Sequence, residues 1–199
     1  MKKRIVNVLV MMMLAVSLTA CFGEKETTDN NTTTQNSAQD TALDSVSILA
    51  DVWATYGENE KFYGMGGDMN HMVDNAPGLY ALEDKEALAG TLLVQADAAE
   101  LIDEAASLVH GMNLNTFTGA AYHVTDAANV QSFADAMKNT ILNNQWMCGS
   151  PDQYVIYKVG DSHVVVAFGA LDVMNVFKEK FMNVHGEYTE VLVEENVAQ

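Results

Sequence analysis

Few side chains in this chain could do chemistry, and they are thinly grouped. The run Gln145-Trp146-Met147-Cys148-Gly149-Ser150-Pro151 holds one of only 2 cysteines. A thiol becomes a nucleophile as the thiolate, which needs an adjacent base or a helix N-terminus. The local sequence offers neither. An amphipathic run precedes Cys148 and a β-branched run follows it, which puts the thiol after a helix C-terminus, where the macrodipole opposes a negative charge. The expectation is a small hydrophobe buried in a helix-to-strand corner. A second group is Asp68, His71 and Asp74, at spacing three. Calcium needs several oxygen ligands and zinc three or four firm donors, so one histidine and two carboxylates without a second cluster read as a binding loop rather than a metal site. A third set, Asp103, Ser107 and His110, would share one face of a helix. Side chains on one helix lie side by side, however, whereas a catalytic triad aims its base from a separate element. No Gly-x-Ser-x-Gly elbow is present either, so a solvated helix edge is expected there. The run Asn113 to Gly119, small polar residues around Phe117, reads equally as a ligand-lining segment or as a turn.

The other cysteine is accounted for by the first 21 residues. Lys2, Lys3 and Arg4 precede an apolar run from Ile5 to Leu18, followed by Leu18-Thr19-Ala20-Cys21. This is the layout of a secretory signal, with an apolar core shorter than the ~20 residues of a membrane span. The last four residues resemble the bacterial lipoprotein signal. That likeness implies that residues 1–20 are removed and that Cys21 carries a diacylglyceryl thioether with palmitate-type chains. Two or more chains are needed for stable anchoring. Cys148 is then an odd thiol in an exported protein.

Charge narrows the partners. Without the three basic residues of the leader, 7 Lys+Arg face 27 Asp+Glu, a formal −20. Such a balance opposes binding to nucleic acid and adsorption to anionic lipid, and it favours cations, cationic peptides or basic protein patches. Residues 21–40 are almost devoid of apolar side chains and read as a polar tether, spanning roughly 25 Å as a flexible coil. Residues 41–199 have the length of one domain.

Periodicity sets the elements that must position these groups. Helices are expected over Thr41 to Tyr56, Ala98 to His110, Asp126 to Asn143 and Leu171 to Val184, each with an apolar stripe, and over Asp84 to Leu92, a stretch of good helix formers. Lys61 to Met72 is too rich in glycine for a regular element and reads as a long loop. Strands are expected at Leu79 to Leu82 and Ala120 to Val124. Gln153 to Val159 and His163 to Phe168 form a hairpin about Gly160-Asp161-Ser162. Glu187 to Gln199 alternates as a final edge strand. The order implies an α+β domain, with an antiparallel or mixed sheet that includes the C-terminal hairpin and helices packed against it.

Trp146 ahead of Cys148-Gly149 invites comparison with the thioredoxin turn, but Met147 intervenes and Ser150-Pro151 stand where a second cysteine belongs. Phe117-Thr118-Gly119-Ala120-Ala121-Tyr122, taken with Trp146-Met147-Cys148-Gly149, resembles instead small lipoproteins of low-GC Gram-positive bacteria that are sometimes labelled bacteriocin transport accessory proteins. The resemblance spans about Trp53 to Phe181 and implies an extracytoplasmic accessory domain. Two functional readings follow. One is a non-enzymatic, lipid-anchored binding module for a protein, peptide or small ligand, without a cofactor. The other is a thiol-dependent enzyme or redox sensor using Cys148, with His123 or His163 brought near it by the fold.

Overall fold

The computed structural model describes residues 43–197. The leader, Cys21 and the polar tether lie outside them. Helix α1 (Ser45–Ala54) starts where the Asp44 carboxylate accepts from Ser47 N at 2.8 Å, a side-chain N-cap. Next come β1 (Gly64–Gly66), β2 (Val73–Asp74), β3 (Gly78–Leu79), α2 (Lys85–Leu92), the one-turn α3 (Ala96–Ala99), β4 (Ile102–His110) and β5 (Phe117–Val124). The chain ends with α4 (Val130–Asn143), β6 (Gln153–Val159), β7 (His163–Gly169), α5 (Leu171–His185) and β8 (Thr189–Asn196).

All strands join one antiparallel sheet in the order β2-β1-β4-β5-β7-β6-β8, with β3 pairing β4 as a branch. The fold is therefore α+β, and the sheet is antiparallel throughout. The expected hairpin is β6–β7, and β8 forms the edge beside β6. Both faces of the sheet are covered. Tyr122, Tyr154, Ile156, Val164 and Val166 pack with Leu88 of α2 and Phe133, Met137 and Ile141 of α4. The alternate residues Ala121, Val155, Tyr157, Val165 and Ala167 pack with Ile48, Leu49 and Val52 of α1 and Phe177 and Phe181 of α5. Every residue of β7 is buried in consequence.

Two-sided burial explains the main departure from expectation. Ala98 to His110 is not a helix: after the short α3 it runs as the nine-residue strand β4, paired along most of its length to β5. A strand covered on both faces is apolar at both parities, and the Ala-rich run Ile102 to His110 mimics helical spacing with good helix formers. Packing between two layers of helices overrides that propensity. The glycine-rich stretch also holds strand β1, where a Cβ on Gly66 would lie 2.3 Å from both Ala76 O and Gly78 N. Glycine there marks a close backbone approach, not irregularity. Conversely, the strand expected at Leu79 to Leu82 stops early, because Ala81 N donates to the Asp68 carboxylate at 3.1 Å instead of continuing the ladder.

Candidate functional site

Asp68 organises the loop that follows β1. Its Oδ1 accepts from Asn70 N at 2.7 Å and His71 N at 3.1 Å, and its Oδ2 accepts from Ala81 N and lies 3.1 Å from His71 Nδ1. Ser107 Oγ on β4 donates to Gly67 O at 3.2 Å and fastens the same loop from behind. Asp68 is only 7% exposed. Burial alone would push its carboxyl up; the Asn70 N–H, the His71 ring and the Ala81 N–H outweigh it and hold the group below the ordinary carboxylate range. The loop brings His71 to Asp68 but not Asp74. Asp74 sits on β2 and accepts from Tyr63 Oη at 3.2 Å, apart from the cleft that the other two line.

That cleft, about 540 Å³, is bounded by Asp68, His71, Leu79, Tyr80, Leu82, Glu83, Asp103 and Glu104. Four carboxylates share it. Two of them reach it through a β-bulge: Ile102 pairs Val124 and Glu104 pairs His123, which leaves Asp103 as the extra residue. The bulge turns consecutive acidic residues of one strand toward one opening, a use such irregularities often serve. Asp103, Ser107 and His110 therefore share a strand and not a helix edge. Ser107 is buried against Gly67 O, and the His110 ring stacks on Phe62, so no triad forms. Glu104 Oε1 accepts from Ser45 N at 2.7 Å. His123 Nδ1 lies 2.6 Å from Asp103 Oδ1, and the His163 ring lies 4.9 Å from that of His123.

The site is acidic because no described lysine or arginine enters it; the only basic groups its carboxylates meet are the imidazoles of His71, at Asp68, and His123, at Asp103. Among the described residues there is no arginine, and all six lysines are committed elsewhere. Lys85, Lys138, Lys158, Lys178 and Lys180 pair with Glu100, Glu195, Glu190, Glu194 and Glu60. Lys61 lies over the Trp53 ring. The chain matches no family model, no curated protein and no solved structure. What the site does must be read from its own chemistry. Glu83 and Glu104 gave no sequence signal, and Asp103 stood out only beside Ser107 and His110, because the cleft joins two segments that only the sheet brings together.

Cys148 departs from expectation more sharply. It is exposed, not buried, and its backbone is left-handed with φ 65°. Asn115 Nδ2 donates to Met147 O at 2.7 Å and to Gly149 O, holding the turn away from the core. The register from Phe117↔Gly169 to His123↔His163 puts the two histidines six ladder positions along the sheet from this end, roughly 20 Å. They are not brought to the thiol. The neighbouring cavity of about 380 Å³, lined by Trp146, Met147, Leu114 and Phe168, has no titratable side chain in its wall. A small thiol reagent is expected to label Cys148 in the native protein as fast as in urea, and Cys148→Ser should change stability by less than about 0.5 kcal/mol. Protection of the native thiol would contradict the exposed turn.

His163 carries a pH dependence. Burial, reinforced by His123, pushes its imidazole down, against the pull of Glu104, Asp44 and Asp103. The unfolded chain binds a proton near pH 6.5 and the folded one lower. Stability is therefore complete above about pH 6.5 and falls as the pH drops below it, by at most about 1.4 kcal/mol per pH unit, until the folded imidazole also protonates. His163→Gln should flatten that slope in urea titrations between pH 7 and about 5. An unchanged slope would assign it to other groups.

Proposed function

We propose that the protein is a lipid-anchored, extracytoplasmic binding module, non-enzymatic, whose acidic cleft takes a cationic group from a peptide, a protein or a small ligand. The observation carrying this reading is the set of four carboxylates in one concave site while every described lysine is engaged elsewhere. Carboxylates with no lysine or arginine beside them focus a negative potential within the cleft, which steers and orients cations. Leu79, Tyr80 and Leu82 supply apolar wall, so a cationic group beside an apolar one fits better than a bare ion. The leader and Cys21 support the anchoring, and the likeness to accessory lipoproteins makes a peptide the first ligand class to try.

The test is fluorescence anisotropy with labelled peptides that alternate lysine and leucine, against the same peptides with every lysine acetylated. Binding of the cationic form should weaken with salt. It should fall by about tenfold or more in the Glu83→Gln, Asp103→Asn, Glu104→Gln variant, the equivalent of about 1.4 kcal/mol. Equal binding of both peptides, or full affinity in the variant, would refute the assignment. The thiol-dependent alternative rests on the exposure of Cys148 alone.

A further inference from the structure

The chain has 12 methionines, and three of them, Met65, Met69 and Met72, fall within eight residues. Met137 and Met174 fill the core, whereas Met69 is 76% and Met72 58% exposed. Exposed apolar side chains set at such spacing on one ordered loop add nothing to core packing. All three instead line one cavity of about 120 Å³, together with Asp68, Tyr80 and Leu114.

The backbone that carries them is fixed. Gly66 is pressed against the chain at Ala76 to Gly78, and Gly67 adopts φ 78° with no room for a Cβ beside His71 O. Asp68 closes the loop with its accepted N–H bonds. The thioethers therefore hang from a held frame with a carboxylate among them. Thioether sulfur is a soft, neutral donor that selects Cu(I) over zinc, calcium or magnesium, and the neighbouring carboxylate favours a cation over a neutral ligand.

We propose that Met65, Met69 and Met72 form a thioether site for a soft monovalent cation, Cu(I) or its redox-inert counterpart Ag(I). The site shares Asp68 and Tyr80 with the wall of the acidic cleft, but its three thioether ligands lie outside that cleft, and it does not rest on the function assigned there. His71, whose ring lines that cleft, is not a ligand here.

The test uses the full chain in detergent micelles, with Cys21→Ser and Cys148→Ser so that no thiol competes. Cu(I) is offered anaerobically from a chromophoric chelator. Ag(I) is titrated in parallel against methyl-labelled methionine and followed by NMR. The expected result is withdrawal of a single equivalent of Cu(I), with Ag(I) shifting the methyls of Met65, Met69 and Met72 and leaving Met137 and Met174 in place. Binding should be lost in the Met65→Leu, Met69→Leu, Met72→Leu variant and retained in the Met112→Leu, Met147→Leu variant. Leucine is close to methionine in volume, so the fold should persist; the single Met72→Leu variant, weakened but folded, guards against failure of the triple one. No withdrawal from the chelator, or binding that survives the triple substitution, would overturn the site.

Discussion

Asp68→Ala is expected to lower stability by about 2–3 kcal/mol and to dissolve the cleft with it. The carboxylate accepts from three backbone N–H groups and holds the His71 ring. Each buried donor left without a partner costs ~1–3 kcal/mol; Asn70 and His71 are exposed enough for water to take their donors, which keeps the sum near the lower end. The tie to Ala81 matters most, because it sets the wall that carries Leu82 and Glu83. Asp68→Asn keeps one acceptor oxygen and should recover about half of the loss. Urea unfolding gives the stability. Hydrogen exchange at Asn70, His71 and Ala81 gives the local effect, and unchanged protection of those amides in the alanine variant would contradict this account of the loop.

Tyr122→Ala should cost more, about 3–5 kcal/mol, the range for a large aromatic removed from a packed core. Tyr122 is fully buried at the middle of β5. Its ring meets Phe133 of α4 edge-on at 5.0 Å, and its hydroxyl donates to Leu92 O at the end of α2 at 3.4 Å. Burial pushes the phenol up, so it stays neutral at any pH the fold survives. Removing it uncouples two helices from one strand. Tyr122→Phe, which loses only the long hydrogen bond, should cost about 1 kcal/mol. If the alanine variant lost less than the phenylalanine range, the helix layer on this face would not depend on the sheet as described.

Much of this fold was legible because several elements carry their signals locally. The stripe Val130, Phe133, Met137 and Ile141 marked α4, although Asp126 caps the 3-10 turn Ala127–Asn129 that leads into it and not α4 itself, and Gly160-Asp161-Ser162 between β-branched runs marked the β6–β7 hairpin. Strand β4 was not legible: burial on both faces erases the alternation by which a strand is recognised, and alanine favours the wrong element. The site was readable only in part. Asp68 and His71 stood out at spacing three, but the spacing drew in Asp74, which β2 carries away. Asp103 entered through a mistaken helix and belongs to a bulge whose position depends on strand pairing across to His123. Cys148 was expected in the core because free cysteines usually are. Asn115, more than thirty residues upstream, pins its turn at the surface instead.

A chain of formal charge −17 attracts cations everywhere, so affinity by itself cannot locate them. The most direct measurement is an NMR titration of the amide and side-chain resonances with the lysine–leucine peptide at a salt concentration that screens the general surface. The expected result is saturable shifts confined to Tyr80, Leu82, Glu83, Asp103, Glu104 and the His71 ring, absent with the acetylated peptide. Shifts spread evenly over the acidic surface, or concentrated on β8 and α5 away from the cleft, would contradict the assignment of this site.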